Sequence, residues 1–225
     1  MRKRLYAIFA ILVLALTGAG LTAGTASAEP TVIVSNGVKI TPTLEFPGYG
    51  TLGAVGYDNQ GNLVGITAGH VDNNEPGGPV WLEQNKGVGP IGYFVNTNRA
   101  LDYTVIVLDK EKVIPKSNGP GARIDGLAPA GQPFLFQVAC KDGQTTGVTC
   151  GAVVAKDATG YNSYAVAYSG DSGGPGWVRD TKLAGITLSI LNANPPGTTR
   201  WLSIFTILNN IPAGTPGKGF VPVNN

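Results

Sequence analysis

From Thr31 onward the chain consists of short runs of β-forming residues, each cut off within a few positions by glycine, proline, asparagine or aspartate. Examples are Thr51–Tyr57, Asn62–Thr67, Val80–Gln84, Ile91–Asn96, Tyr103–Leu108, Pro133–Ala139, Gly151–Val154, Tyr164–Tyr168, Leu183–Ile190 and Arg200–Ile204. Between them lie Asp58-Asn59-Gln60-Gly61, Pro76-Gly77-Gly78, Asp142-Gly143 and Pro195-Pro196-Gly197. Glycine supplies turn conformations closed to other residues, and proline removes a ladder donor, so such punctuation limits strand length and excludes long helices. Many short strands at this spacing predict an all-β sandwich or barrel, and the spacing alone does not choose between them. Helical character is confined to a short piece near Phe205–Ile211. Hydrophobic residues make up 43% of the chain, enough for a substantial core.

The N-terminus is written differently. Arg2, Lys3 and Arg4 precede an apolar stretch, Ala7–Leu16, and then small residues ending Ala26-Ser27-Ala28. A basic head, a short apolar segment and an A-x-A site predict a secretory signal peptide over residues 1–28, cleaved after Ala28. The apolar stretch is too short to span a bilayer comfortably, so no stable membrane anchor is expected and the mature protein should be secreted and extracellular. Residues 1–28 hold three cations and no acid, so their removal takes the formal charge from +2 to −1. No basic cluster follows, and binding of nucleic acid or of an anionic membrane has no support.

One turn carries chemistry. In Gly170-Asp171-Ser172-Gly173-Gly174-Pro175 a serine is flanked by glycines, which suits a tight exposed turn rather than a strand interior. Such a turn can present a hydroxyl and aim backbone N–H groups at one point, as an acyl-transfer nucleophile and its oxyanion hole require. A base is available in the one histidine of the chain, His70, within Gly65-Ile66-Thr67-Ala68-Gly69-His70. A carboxylate, Asp102, opens the apolar run Asp102-Tyr103-Thr104-Val105-Ile106-Val107-Leu108. With these three motifs in the order His, Asp, Ser, the sequence resembles the chymotrypsin-like serine proteases over roughly residues 33–211. The segment from Cys140 to Gly151 is similar to a looped disulfide of the secreted bacterial, streptogrisin-like branch.

The resemblance implies two six-stranded antiparallel β-barrels with the active site in the cleft between them. The turn-rich stretch Lys112–Gly126 divides the chain into an N-terminal barrel, residues 29–118, with His70 and Asp102, and a C-terminal barrel, residues 119–225, with Ser172. It implies that Ser172 is the nucleophile, His70 the general base and acid, and Asp102 the group that orients the imidazole. The N–H groups of Gly170 and Ser172 would form the oxyanion hole. Asp171 would prop the turn from beneath, with Arg123 as a candidate partner. Alignment with the family assigns the substrate pocket to Val166, Thr187, Ser189 and Ile190. An apolar residue at 166 offers no carboxylate to a cationic side chain, so cleavage after small to medium apolar residues is expected.

Cys140 and Cys150 are the only cysteines. In a secreted chain an even pair reads as a disulfide, and two thiols without further ligands cannot complete a zinc site. The chemistry calls for no metal or cofactor; the expected partners are protein or peptide substrates, and the expected state is a monomer. The sequence departs from the family at Val71, where most relatives carry a cysteine after the histidine, and near Tyr168, where no second bridge is available. Three other readings use the same residues: an esterase on the same triad, a catalytically weak binding homologue, and a glycan-binding β module using Trp81, Trp177 and Trp201.

Overall fold

The structure is a computed structural model that describes residues 31–44, 48–73, 77–179, 181–189 and 194–225, with Ser189 described by its backbone only. The expected signal peptide and Ile190 lie outside the described residues. Strands β1 (Val32–Ser35), β2 (Lys39–Thr41), β3 (Gly50–Thr51), β4 (Ala54–Tyr57), β5 (Leu63–Ala68), β6 (Pro79–Leu82), β7 (Gly92–Asn98), β8 (Tyr103–Leu108) and β9 (Val113–Lys116) make the first half. The second half comprises β10 (Gly126–Leu127), β11 (Val138–Lys141), β12 (Thr149–Lys156), β13 (Gly160–Ser163), β14 (Pro175–Val178), β15 (Lys182–Ser189) and β16 (Thr199–Ser203). Helix α1 (Ile204–Asn210) and β17 (Val221–Pro222) end the chain.

The second half closes into a six-stranded barrel. Strand β14 pairs with β11, then β12, β13, β16 and β15 follow, and β15 pairs back with β14. All these pairings are antiparallel, and β10 is added parallel to β15. The first half is a curled sheet in the order β17-β4-β5-β8-β7-β6-β2-β3. Strands β3 and β4, near its two ends, are successive pieces of one bent segment separated by Leu52 and Gly53. The two-barrel expectation is met in this form: a closed barrel beside a sheet that curls round through a bent strand. A Cβ on Gly53 would fall 2.6 Å from the Gly173 carbonyl and 2.7 Å from Ile186, so the bend is placed where the two halves touch and has room for no side chain.

One core runs through both halves. Ile66, Phe94, Val105 and Ile106 from the first sheet share it with Leu183, Ile186 and Leu202 from the second and with Ile204 of α1. Fully burying each large aliphatic or aromatic side chain contributes roughly 1.5–3 kcal/mol, so the docking of the halves rests on the same term that folds each. A second cluster fills the closed barrel, with Trp201 stacked on Tyr161 at 5.2 Å between ring centroids. Gly176 makes room for it, since a Cβ there would lie 2.0 Å from the indole.

Four details differ from the sequence reading. The run Pro133–Ala139 is strand only from Val138 onward, in β11. The turn-rich boundary contains a strand, β9, which pairs in parallel with β1. Tyr164–Tyr168 is not a strand: β13 ends at Ser163, and the Val166 carbonyl is taken instead by the Thr149 hydroxyl at 2.6 Å. Trp201 is wholly buried and cannot serve an aromatic binding platform.

Candidate active site

Strand β5 is buried along its whole length and hydrogen-bonds to β8 with Ala68 opposite Tyr103. The residues that follow Ala68 and precede Tyr103 are therefore delivered to the same end of the sheet. Gly69 permits their contact, because a Cβ there would lie 2.9 Å from the Tyr103 nitrogen. A single 3₁₀ turn, Gly69–Val71, then swings His70 outward. Asp102 takes a left-handed conformation, φ +62°, tolerated by a short polar side chain at a strand mouth. Its Oδ1 accepts the His70 backbone N–H at 2.8 Å, and its two oxygens face His70 Nδ1 at 3.0 and 2.8 Å. This grip fixes the imidazole with Nδ1 engaged and leaves Nε2 as its second ring nitrogen.

Ser172 arrives from the other half on the Gly-rich turn. Gly170 and Gly173 have φ of +96° and +86°, which L side chains rarely adopt. The turn is nailed down by backbone bonds from Asp171 N–H to the Tyr168 carbonyl, Gly174 N–H to the Asp171 carbonyl and Gly173 N–H to the Thr187 carbonyl. Across the cleft, the Thr51 N–H donates to the Ser172 carbonyl and the Thr51 hydroxyl to the Gly170 carbonyl, both at 2.8 Å. Among the described residues the N–H groups of Gly170 and Ser172 have no partner. His70, Gly170 and Ser172 line one cavity of about 220 Å³ together with Pro42, Tyr49 and Val71. The Ser172 hydroxyl donates to the Leu188 carbonyl at 3.1 Å. A hydroxyl has one proton, so in this rotamer it does not donate to His70.

Beneath the turn lies a buried ion pair. Asp171 is fully buried and accepts from the N–H groups of Thr145 (2.8 Å), Thr146 (3.0 Å) and Tyr168 (2.9 Å) and from the Thr146 hydroxyl (2.7 Å). Its counter-ion is Lys141, also fully buried, with Nζ 3.1 Å from Oδ2. Burial acts to raise the Asp171 pKa, but the Thr146 hydroxyl and the three backbone donors outweigh it and hold the carboxyl below its usual range. For Lys141 burial dominates and lowers the pKa, opposed by Asp171 and Asp142. Arg123 does not fill this role: its guanidinium is held by Asp125 at 2.9 Å and by Asn224 at 2.8 Å. Lys141 was open to recognition in the sequence only as the cation adjoining Cys140, because its inward direction depends on the strand register.

The described residues assigned to the substrate pocket lie on β15 and on the segment after β13. Val166 is 52% exposed on the irregular segment after β13. Thr187 is 1% exposed, and its backbone carbonyl and N–H bond to Gly173 and Gly174, so its backbone braces the turn. Ser189 ends β15 opposite Arg200. Cys140 and Cys150 form the expected disulfide, directly opposed on β11 and β12. Among the described residues there is no cluster of side chains suited to a metal ion, and no helix long and apolar enough to cross a membrane.

No protein-family model matches the chain, and no curated protein sequence matches it. Solved structures do. Protease A of Thermobifida fusca superposes with a TM-score of 0.66 at 18% identity, covering 86% of this chain and all of the other. A chymotrypsin of Cellulomonas bogoriensis gives 0.64 at 20%, again over 86% of this chain and all of its own. A Nocardiopsis protease gives 0.63 at 21%, over 79% and 96%. The chain has the chymotrypsin-like fold of these bacterial proteases.

Proposed function

We propose that this chain is a secreted serine endopeptidase that hydrolyses peptide bonds through an acyl-enzyme. The observation that carries the reading is the paired grip of Asp102 on His70, with Ser172 on the wall of the same cavity. The fold shared with bacterial proteases supports it.

In this mechanism Ser172 turns from the Leu188 carbonyl toward His70 Nε2, which takes its proton as the hydroxyl attacks the scissile carbonyl. Asp102 keeps the proton of the imidazole on Nδ1 and stabilises the imidazolium that forms. The free N–H groups of Gly170 and Ser172 receive the oxyanion, an interaction that in related chemistry is worth roughly 3–4 kcal/mol per donor. His70 then returns the proton to the leaving amine, and water repeats the sequence on the acyl-enzyme. Among the described residues the cavity lining has no carboxylate, which supports preference for small to medium apolar residues over arginine or lysine on the acyl side. Export is supported by the leader-like N-terminus and by the disulfide.

The test is labelling with a biotinylated fluorophosphonate. The wild-type protein is expected to react with one equivalent and Ser172→Ala with none, and peptide amide substrates are expected to turn over in wild type only. Labelling that survives Ser172→Ala would remove the assignment; turnover of esters without any turnover of peptides would move the reading to an esterase.

A further inference from the structure

The turn that presents His70 carries no covalent tie, since the two cysteines bond to each other far from it. It is held by an arginine from the loop that presents Asp102. Arg99 precedes Asp102 by three positions, and its guanidinium reaches back across the sheet end. Nη1 donates to the Gly69 carbonyl at 2.5 Å and Nη2 to the Asp72 carbonyl at 2.8 Å. Gly69 opens the 3₁₀ turn and Asp72 follows it, so the two bracket His70 and Val71. The same Nη2 lies 3.4 Å from the Asp72 carboxylate, which is buried and also accepts the Thr97 hydroxyl at 2.6 Å. Thr97 is in turn 2.7 Å from the Thr104 hydroxyl on β8. Leu101 N–H, one residue before Asp102, is capped by the Asn98 side chain at 2.9 Å.

We infer that Arg99 is a positioning residue for the His70–Asp102 pair: by clasping both ends of the His70 turn from the Asp102 loop, it sets the separation of base and carboxylate. Several features of the contact favour this over a merely structural surface pair. The planar fork engages the two carbonyls through two separate nitrogens held at a fixed spacing, which a single ammonium nitrogen does not reproduce. Both carbonyls belong to the one turn whose displacement moves His70. The side chain remains 41% exposed, so it contributes little to the core. Asp72 supplies the counter-charge that keeps the guanidinium in place, which makes it the second member of the clasp.

This inference rests on the hydrolytic reading above only for its kinetic consequence; its geometric claim can be read independently. His70 is the one histidine in the chain, so its ring nitrogens and the Nδ1 proton give unambiguous NMR signals. Arg99→Gln in the full mature protein is expected to shift or broaden the downfield Nδ1 proton shared with Asp102. It is expected to lower kcat on a peptide p-nitroanilide by about 10–100-fold with KM nearly unchanged, the size that small misplacement of a reacting group produces. Arg99→Lys should give an intermediate shift and partial recovery of kcat, and it carries the test if the glutamine variant does not fold. A His70 signal in both variants superposable on wild type would overturn the proposal. So would a kcat loss matched by an equal loss of folded protein with the His70 signal unchanged. A wild-type protein inactive on peptides, but with a His70 signal that responds to Arg99→Gln, would uphold the clasp and remove the endopeptidase reading instead.

Discussion

Lys141 and Asp171 meet at 3.1 Å with neither side chain exposed, directly beneath the turn that carries Ser172. Burying two charges costs several kcal/mol per ion before their attraction is counted, so such a pair is a poor general stabiliser. Its role is local. The Thr146 hydroxyl and the N–H groups of Thr145, Thr146 and Tyr168 keep Asp171 ionised and shape the turn around it, and Lys141 balances that charge.

The pair predicts an alkaline limit to activity. Burial pushes the Lys141 pKa below its reference value of 10.5, so Lys141 loses its proton before exposed lysines do and leaves Asp171 without a counter-ion. The sign for global stability is opposite. Between the lowered folded pKa and the unfolded value, the unfolded chain holds more protons on this group, so its contribution to stability rises with pH. On the alkaline side kcat/KM should therefore begin to fall before Tm does, since Tm declines only as the pH rises past the ordinary tyrosine value of 10.0, where unfolding would release Tyr103 and Tyr161 to ionise. Lys141→Arg, whose guanidinium does not titrate in this range, should move the activity limit upward. Parallel loss of kcat/KM and Tm in wild type, or an unchanged limit in Lys141→Arg, would count against this account.

Two glycines with the same backbone sign should differ sharply in what an alanine costs. A Cβ on Gly173 would fall 1.9 Å from the Thr67 hydroxyl and 2.4 Å from the Thr51 carbonyl, on top of a φ of +86°. Gly61, at φ +77°, has nothing within 4 Å of that position. Gly61→Ala carries only the conformational penalty, about 1–2 kcal/mol. Gly173→Ala adds overpacking between the two halves, for a total of about 2–5 kcal/mol. Denaturant titration of both variants checks the difference; equal losses would mean that contact across the cleft is softer than described.

Asp125 is expected to govern part of the acid limb of stability. Hydrogen bonds from Arg123, then Lys182, then Thr181 hold its carboxyl well below the usual range. A carboxylate with a lowered folded pKa stabilises fully above its unfolded value, here 3.8, and loses that contribution as pH falls through the folded value. Asp125→Asn should lower Tm near neutrality and flatten the decline of Tm below about pH 4. Thermal melts between acid and neutral pH read this directly, and an identical acid slope in the variant would assign the limb elsewhere.

What could be read from the sequence divides by range. The His70, Asp102 and Ser172 motifs are local devices, a glycine approach and two turns, so their residue types announce the backbone they need. The disulfide was legible because only two cysteines exist. Strands β8 and β15 could be read from apolar content alone, and β8 matches its sequence boundaries. The prop of Asp171 was not legible, because Arg123 and Lys141 are both cations at plausible distances and only strand register turns one of them inward. The departure of Val166 from the strand pattern was not legible either, since it depends on the Thr146 and Thr149 hydroxyls that take its carbonyl. The Arg99 clasp is invisible to motif reading, since its partners are carbonyls that every residue possesses.

Strand β17 lies among the last residues of the chain, yet it pairs with β4 in the sheet that carries His70 and Asp102, and Val223 adds a further bond to Val55 at 3.1 Å. Protein synthesis is vectorial, so this sheet edge stays vacant until translation has passed Pro222. A nascent chain stalled between Ser172 and β17 would have emitted the histidine, the aspartate and the serine without the strand that borders the sheet of the first two. Order of synthesis thus becomes a property of the topology: the sheet that carries His70 and Asp102 gains this border only after all three residues of the candidate triad have been made.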